Sequence, residues 1–254
     1  MYKRLKLVGG ITLAFVLVLV LATLWPRPGS AAAGETERQV QVPIGLKKDP
    51  VVITKVTLGD AVVQAGRFVQ AGPAEPITPF RAGDDWIQNL AVYLYNRTNK
   101  TIVFARVIFG FPETGDAHSQ PQRAFILELG LVPQSAPVGT RMNLSDLQPI
   151  VFPPGQTMVI RLGDYIDRIR SRVEPPSPRS GAIPLAAATQ LAIFLNAFFF
   201  ADGMEYHAGV YNVQDPQDPG KVVHMDQGYF PGDPERTWPG RPDWRGPAGG
   251  REMR

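Results

Sequence analysis

The chain has 254 residues and no cysteine, which excludes disulfides, thiolate metal sites and thiol nucleophiles and leaves stability to packing. Its calculated pI of 9.2 misleads. Residues 1–34 hold Lys3, Arg4, Lys6 and Arg27 and no acid, so the remainder carries 22 basic against 23 acidic residues, a net charge near −1 that gives no general affinity for nucleic acid.

Lys3, Arg4 and Lys6 precede a run without charge, Leu7 to Trp25, of 19 residues. As an α-helix this run rises about 28 Å, close to the hydrocarbon thickness of a bilayer. Basic residues before it and few after it predict an N-terminus in the cytoplasm and the rest of the chain facing the periplasm or exterior of a bacterial inner membrane. Trp25 suits the headgroup level at the outer end. An uncleaved anchor is expected, because the small pair Ala31 and Ala33 lies seven to nine residues beyond Leu24, past Pro26 and Pro28. Cleavage after Ala33, giving a secreted protein, is the alternative. The expected organisation is a basic tip (1–6), the span (7–25), a linker (26–39), a β domain (40–227) and a Pro/Gly-rich tail (228–254).

Within the domain, Val51 to Leu58 is rich in β-branched residues, and Ala61 to Val69 supplies one or two further short strands. Residues 72–84 read as a loop. Trp86 to Asn96 alternates, with Leu90, Val92 and Leu94 on one face and Ala91, Tyr93 and Tyr95 on the other. After the polar turn Arg97 to Lys100, Thr101 to Phe111 returns with Val103, Ala105, Val107, Phe109 and Phe111 on one face and Arg106 opposite. The two runs predict a hairpin, and apolar residues on both faces predict central strands.

Ala124 to Leu131 and Thr157 to Leu162 are further strands, separated by an irregular stretch, 133–156. Asp164 is expected to cap a short helix carrying Tyr165, Ile166, Ile169 and Val173, stopped by Pro175, Pro176 and Pro178. A second hairpin joins Thr189–Phe200 to Met204–Tyr211 through Asp202-Gly203. After a loop from Asn212 to Gly220, Lys221 to Met225 is the last strand. The pattern predicts an all-β, immunoglobulin-like β-sandwich with one short helix behind a single N-terminal transmembrane helix.

Few residues combine into chemistry. No nucleophile elbow, zinc-binding His-Glu-x-x-His or phosphate-cradling loop is present, and no enzymatic activity or cofactor is expected. His118 stands in a polar loop. If the strands at 205–211 and 221–226 pair directly, His207 faces His224 and Glu205 faces Asp226, a set able to hold zinc or copper, while a slip of one residue dissolves it. Asp215 to Gly220 reads as turn chemistry rather than a calcium loop. Asp84-Asp85 is a loop pair. Arg168, Arg170, Arg172 and Arg179, among Asp164, Asp167 and Glu174, read as a solvated mixed-charge face. Tyr93, Tyr95, Tyr206 and Tyr211 offer either a sugar-stacking platform or cross-strand packing. Trp238 and Trp244 in the tail either dock on the domain or bind a partner.

Leu94 to Ile102 leading to Phe111-Pro112-Glu113, and Phe200 to Tyr206 continuing to Gly209 and the Asp-Pro pairs at 215–219, resemble uncharacterised exported bacterial β-sandwich proteins. In that group the last stretch is similar to D-G-x-x-W…G…D-P-x-x-P-x-x-W, from which Tyr206 and Val222 depart by standing where tryptophan is expected. The resemblance implies fold and export and carries no activity or functional residues. The expected role is therefore non-enzymatic binding of a protein or an envelope polymer, or cell-envelope assembly, by a membrane-held domain. Carbohydrate binding is the alternative, followed by a metal-dependent exported enzyme using His207 and His224.

Overall fold

A computed structural model describes residues 34–46, 48–68, 77–114, 123–132, 148–174, 184–207, 209–215, 217–218 and 221–225. These form strands β1 (Thr36–Gln41), β2 (Ile44–Gly45), β3 (Val51–Leu58), β4 (Ala61–Ala65), β5 (Arg67–Phe68), β6 (Phe80–Ala82), β7 (Leu90–Asn96) and β8 (Ile102–Phe111). They continue with β9 (Arg123–Gly130), β10 (Thr157–Arg161), helix α1 (Ile166–Val173), β11 (Gln190–Phe200), β12 (Glu205–His207), β13 (Val210–Gln214) and β14 (Val222–His224). The described chain is thus mostly β with one short helix, as expected. The first strand begins at Thr36, inside the stretch read as linker.

β2 and β5 pair in parallel as a separate two-stranded sheet, and four strands, in the order β10-β7-β3-β4, make the smaller of the two main sheets. The larger has eight: β9-β8-β11 runs on into β12-β13-β14, and β1, parallel to the first residues of β11, leads to β6. Val56, Val92 and Leu94 of the smaller sheet and Val107, Phe109 and Phe198 of the larger belong to one buried core. Burying each such side chain contributes about 1.5–3 kcal/mol, which is how a chain without disulfides holds together. Both β7 and β8 are central, each with neighbours on two sides.

They are not, however, a hairpin. β7 pairs with β3 and β10 in one sheet, and β8 with β9 and β11 in the other, so residues 97–101 arch from sheet to sheet. Period-two alternation assigns faces but not partners, and a short polar connection serves a hairpin or an arch equally well. Asn96 decides the matter. It is fully buried; its amide donates to Lys100 O and Phe152 O, both at 2.9 Å, and its Oδ1 accepts from Thr98 N at 3.0 Å and Thr98 Oγ1 at 2.7 Å. The Arg97 N–H donates to Pro50 O across the arch. All four hydrogen-bonding positions of the amide are used.

Other differences are local. Residues 84–89 are successive turns, with Trp86, Gln88, Asn89 and Leu90 N–H each bonded three residues back, so β7 starts at Leu90 rather than Trp86. A register shift at the start of β8 leaves Ile102, not Val103, in the main core; Val103 packs beside Phe104 and Phe199 on the opposite face. Asp164 does not cap α1. Leu162–Tyr165 is a 3-10 turn, the cap position falls to Tyr165, and no side chain caps it. Packing of Ile169 and Val173 in the core holds the helix instead. The second hairpin forms as expected around Asp202-Gly203, where Gly203 sits at φ +87°.

Replacing Asn96 by alanine strips partners from two buried carbonyls and the Thr98 N–H. Asn96→Ala should cost about 2–4 kcal/mol, read as a lowered urea midpoint with an unchanged slope.

Candidate functional site

The face of the large sheet turned away from the core carries the polar side chains singled out from sequence. Its strand register sets them in rows. One row runs Gly130, Phe104, Phe199, Glu205, Asn212, His224 across β9, β8, β11, β12, β13 and β14. The next runs Glu128, Arg106, Ala197, His207, Val210, with Asn196 bulged beside it. A third, further along the strands, is apolar: Ile126, Ile108, Phe194.

The direct pairing expected between 205–211 and 221–226 does not form. Gly209, at φ +92°, turns the chain back after His207, so the run read as one strand becomes β12 and β13, and the stretch from Asn212 read as a loop is largely strand. β13 then lies between the two histidine-bearing strands. His207 faces Val210, while His224 faces Asn212, which in turn faces Glu205. Asp226, Trp238, Trp244 and the span 7–25 lie outside the described residues, as do His118, Arg179 and the tail. No helix among the described residues is long and apolar enough to cross a membrane. Among the same residues no three His, Asp or Glu side chains gather at the spacing a metal ion requires.

What the register does assemble is a hydrogen-bonded line. The Asn212 amide bonds Glu205, and Asn212 Oδ1 meets His224 Nδ1 at 2.5 Å. Because Asn212 Oδ1 only accepts, His224 Nδ1 is the donor of this bond. Glu205 is 4% exposed. Burial pushes its carboxyl above the ordinary 4.5, opposed by His207, the Asn212 hydrogen bond, Arg106 and His224. Arg106 itself donates to Glu128 at 2.9 Å and to Asn196 at 3.4 Å.

The aromatic platform divides. Tyr93 and Tyr95 share the outer face of the smaller sheet, where the Lys55 ammonium lies 4.4 Å from the Tyr93 ring centre. Tyr206 and Tyr211 are buried, in edge-to-face contact at 5.0 Å, and their hydroxyls donate to Asp49 Oδ1 at 2.5 Å and Lys48 O at 2.6 Å. Burial and the Asp49 carboxylate together raise the Tyr206 hydroxyl far above its ordinary range. These two tyrosines are pins for the 46–50 loop, not a sugar surface.

The remaining charged groups sort into structure. Asp84 reaches the buried guanidinium of Arg38 at 3.2 Å, and Asp85 accepts from Asn89 Nδ2 at 3.0 Å. Asp215 Oδ1 accepts the Gln217 N–H at 2.9 Å, an Asx turn of the kind expected there. In α1, Arg170 turns to Asp167 at 3.7 Å. Arg168 and Arg172 are exposed like Asp164, Asp167 and Arg170, as a solvated face requires. With Ser171, Phe125 and Ile126 they line a groove between α1 and β9.

Sequence reasoning missed this groove and the apolar row it adjoins. Outward-facing Ile126 and Phe194 are 48% and 49% exposed. Their alternation with core residues was a usable signal, masked by the inference that central strands bury both faces. The chain matches no protein family, no curated protein and no solved structure.

The raised Glu205 pKa has a consequence for stability. The folded state holds the proton more tightly than the unfolded chain, so this group's contribution falls as pH rises from about 4.5 through the raised value. Glu205→Gln removes that dependence. Relative to the native chain it should gain stability across the window, by about 1.4 kcal/mol for each tenfold difference in proton affinity between the two states, measured as urea midpoints from about pH 4 to about pH 8.

Proposed function

We propose that this protein is a membrane-anchored, extracytoplasmic binding domain of immunoglobulin-like sandwich type, with no catalytic role, that presents the outer face of its large sheet to a partner. The observation that carries the reading is the apolar row Ile126, Ile108, Phe194. Its end members are about half exposed and lie on β9 and β11, the two strands that flank β8, on one sheet face, with nothing among the described residues covering them. Single exposed apolar residues need no explanation, but a row across neighbouring strands is what binding faces are made of.

Strand order supports the sandwich reading. β3, β7 and β10 take the places of strands A, B and E, and β9, β8, β11 and β12 those of C′, C, F and G. Chain crossings fall where that fold has them, at β7 to β8 and, through α1, at β10 to β11. The anchor rests on the uncharged run 7–25 behind its three basic residues. A tethered domain meets its partner in the plane of the envelope, where a modest affinity suffices because the local concentration is high.

In membranes from a bacterial host, the full-length chain should sediment with the membrane fraction and resist carbonate extraction. The chain lacking residues 7–25 should stay in the soluble fraction. A full-length chain released by carbonate at reduced mass would overturn the anchor in favour of cleavage.

A further inference from the structure

The groove between α1 and β9 specifies the chemistry of a ligand more closely than the rest of the surface. Arg123 on β9 donates to Val173 O at the last turn of α1, which fixes the helix beside the strand. Arg168 lies over the rings of Phe125 and Tyr165, 5.6 and 5.9 Å from their centres. Stacked in this way a guanidinium keeps its N–H edge for a planar anion. Arg172, one turn on, has no ion-pair partner among the described residues, and Ser171 stands between them. Of the neighbouring acids, Asp167 pairs with Arg170 and Glu174 Oε1 accepts the Leu185 N–H at 2.6 Å, while Asp164 stands exposed one turn before Arg168, on the far side of Tyr165 in the chain. Among the described residues no acid lines the groove.

Ile126 belongs both to this groove and to the apolar row. The surface is therefore continuous: Phe194, Ile108 and Ile126 across three strands, then Arg168 and Arg172 on the helix. Two strand spacings cover about 10 Å, and the helix beyond adds about 10 Å. The whole corresponds to roughly six extended residues.

We propose that this surface binds an extended segment of a partner protein in which apolar side chains are followed by carboxylates, the apolar part lying on Phe194, Ile108 and Ile126 and the carboxylates on Arg168 and Arg172. This rests on the reading of the sheet face as a binding surface. A free phosphate satisfies the arginines and leaves the apolar row in water, whereas an acidic segment with apolar neighbours uses both. Arginine forks favour carboxylates in pairs, and aromatic support beneath Arg168 reduces the ordering cost of that contact.

The test is selection of a random peptide display library on the purified full-length chain, followed by titration of the enriched peptides. Enriched peptides should place Asp or Glu next to apolar residues. Their affinity should fall at least about tenfold on Arg168→Glu/Arg172→Glu, and by a smaller factor on Arg172→Glu, which touches no ring. Raising salt should weaken binding to the native chain and not to the double variant. Unchanged thermal unfolding of Arg172→Glu shows that a loss is not misfolding. Peptides without acidic enrichment, or equal affinity for native and variant chains, overturn the proposal. So does binding of phosphatidylglycerol vesicles through these arginines with no peptide selected, which makes the surface a bilayer contact. Failure of the anchor in fractionation leaves this result untouched, so the two readings fall separately.

Discussion

A chain without cysteine that builds two sheets on one core must pass between those sheets, and each passage carries backbone polar groups through apolar surroundings. An unpaired buried amide or carbonyl costs free energy on the scale of the whole domain's margin. The β7–β8 arch meets this constraint chiefly with one side chain, helped by Thr98, whose hydroxyl accepts from Lys100 N. Asn96 reproduces, with its two donors and its acceptor oxygen, the hydrogen bonds that the departing strand can no longer supply. Its bond to Phe152 O also reaches the segment that leads into β10, so the same amide ties three passes of the chain. Such an asparagine has no room for glycosylation, although Asn96-Arg97-Thr98 has the form of an acceptor site.

Arg38 solves a related problem at the other side of the core. Only 1% exposed, it gives one nitrogen to Ala188 O and another to Ala186 O and Asp84, and lies 5.8 Å from the Trp86 ring. Trp86 Nε1 donates to the same Ala188 carbonyl at 3.1 Å. A buried cation contributes little net stability, because its desolvation offsets its pairings. What it supplies is placement: β1, the 83–89 turns and the residues before β11 have one mutual arrangement in which both terminal nitrogens of this guanidinium find acceptors, while its Nε has none among the described residues. Removing it costs the partners as well as the charge.

How much of this was legible depended on whether a feature is local. Val51–Leu58 was read to the residue, since seven of its eight positions are β-branched or apolar, which leaves a strand little competition. The Asp202-Gly203 turn was likewise readable, because its glycine conformation is a property of the dipeptide. Partner choice was not. The same alternation in Leu90–Asn96 fits a hairpin or two sheets, and what separates them is Asn96 bonding to Phe152, 56 residues away. The histidine pair failed for a similar reason. One glycine at 209 inserted a strand between them, and no periodicity within 204–225 announces which of two registers wins. Arg38 was invisible, because its partners at 84, 186 and 188 are brought together only by the fold.

The extension of the large sheet by β12, β13 and β14 is what makes one of its faces a surface rather than a rim. Tyr206 and Tyr211 anchor the added strands to the 46–50 loop on the core side, which leaves the other side to Glu205, Asn212, His207 and His224. Glu205 and Asn212 are buried on that half, and the half-exposed apolar side chains Ile126 and Phe194 lie toward β9, next to the arginines of α1. A sheet face organised in this way is divided by the Arg106–Glu128 pair into a hydrogen-bonded half and an apolar half. The apolar half carries a cost in solubility that the fold does not need, because the core on the opposite face is complete without it. On the proposed reading that cost is recovered when a partner covers the row, and the arginines at its end select one whose charge is negative and whose backbone reaches from sheet to helix.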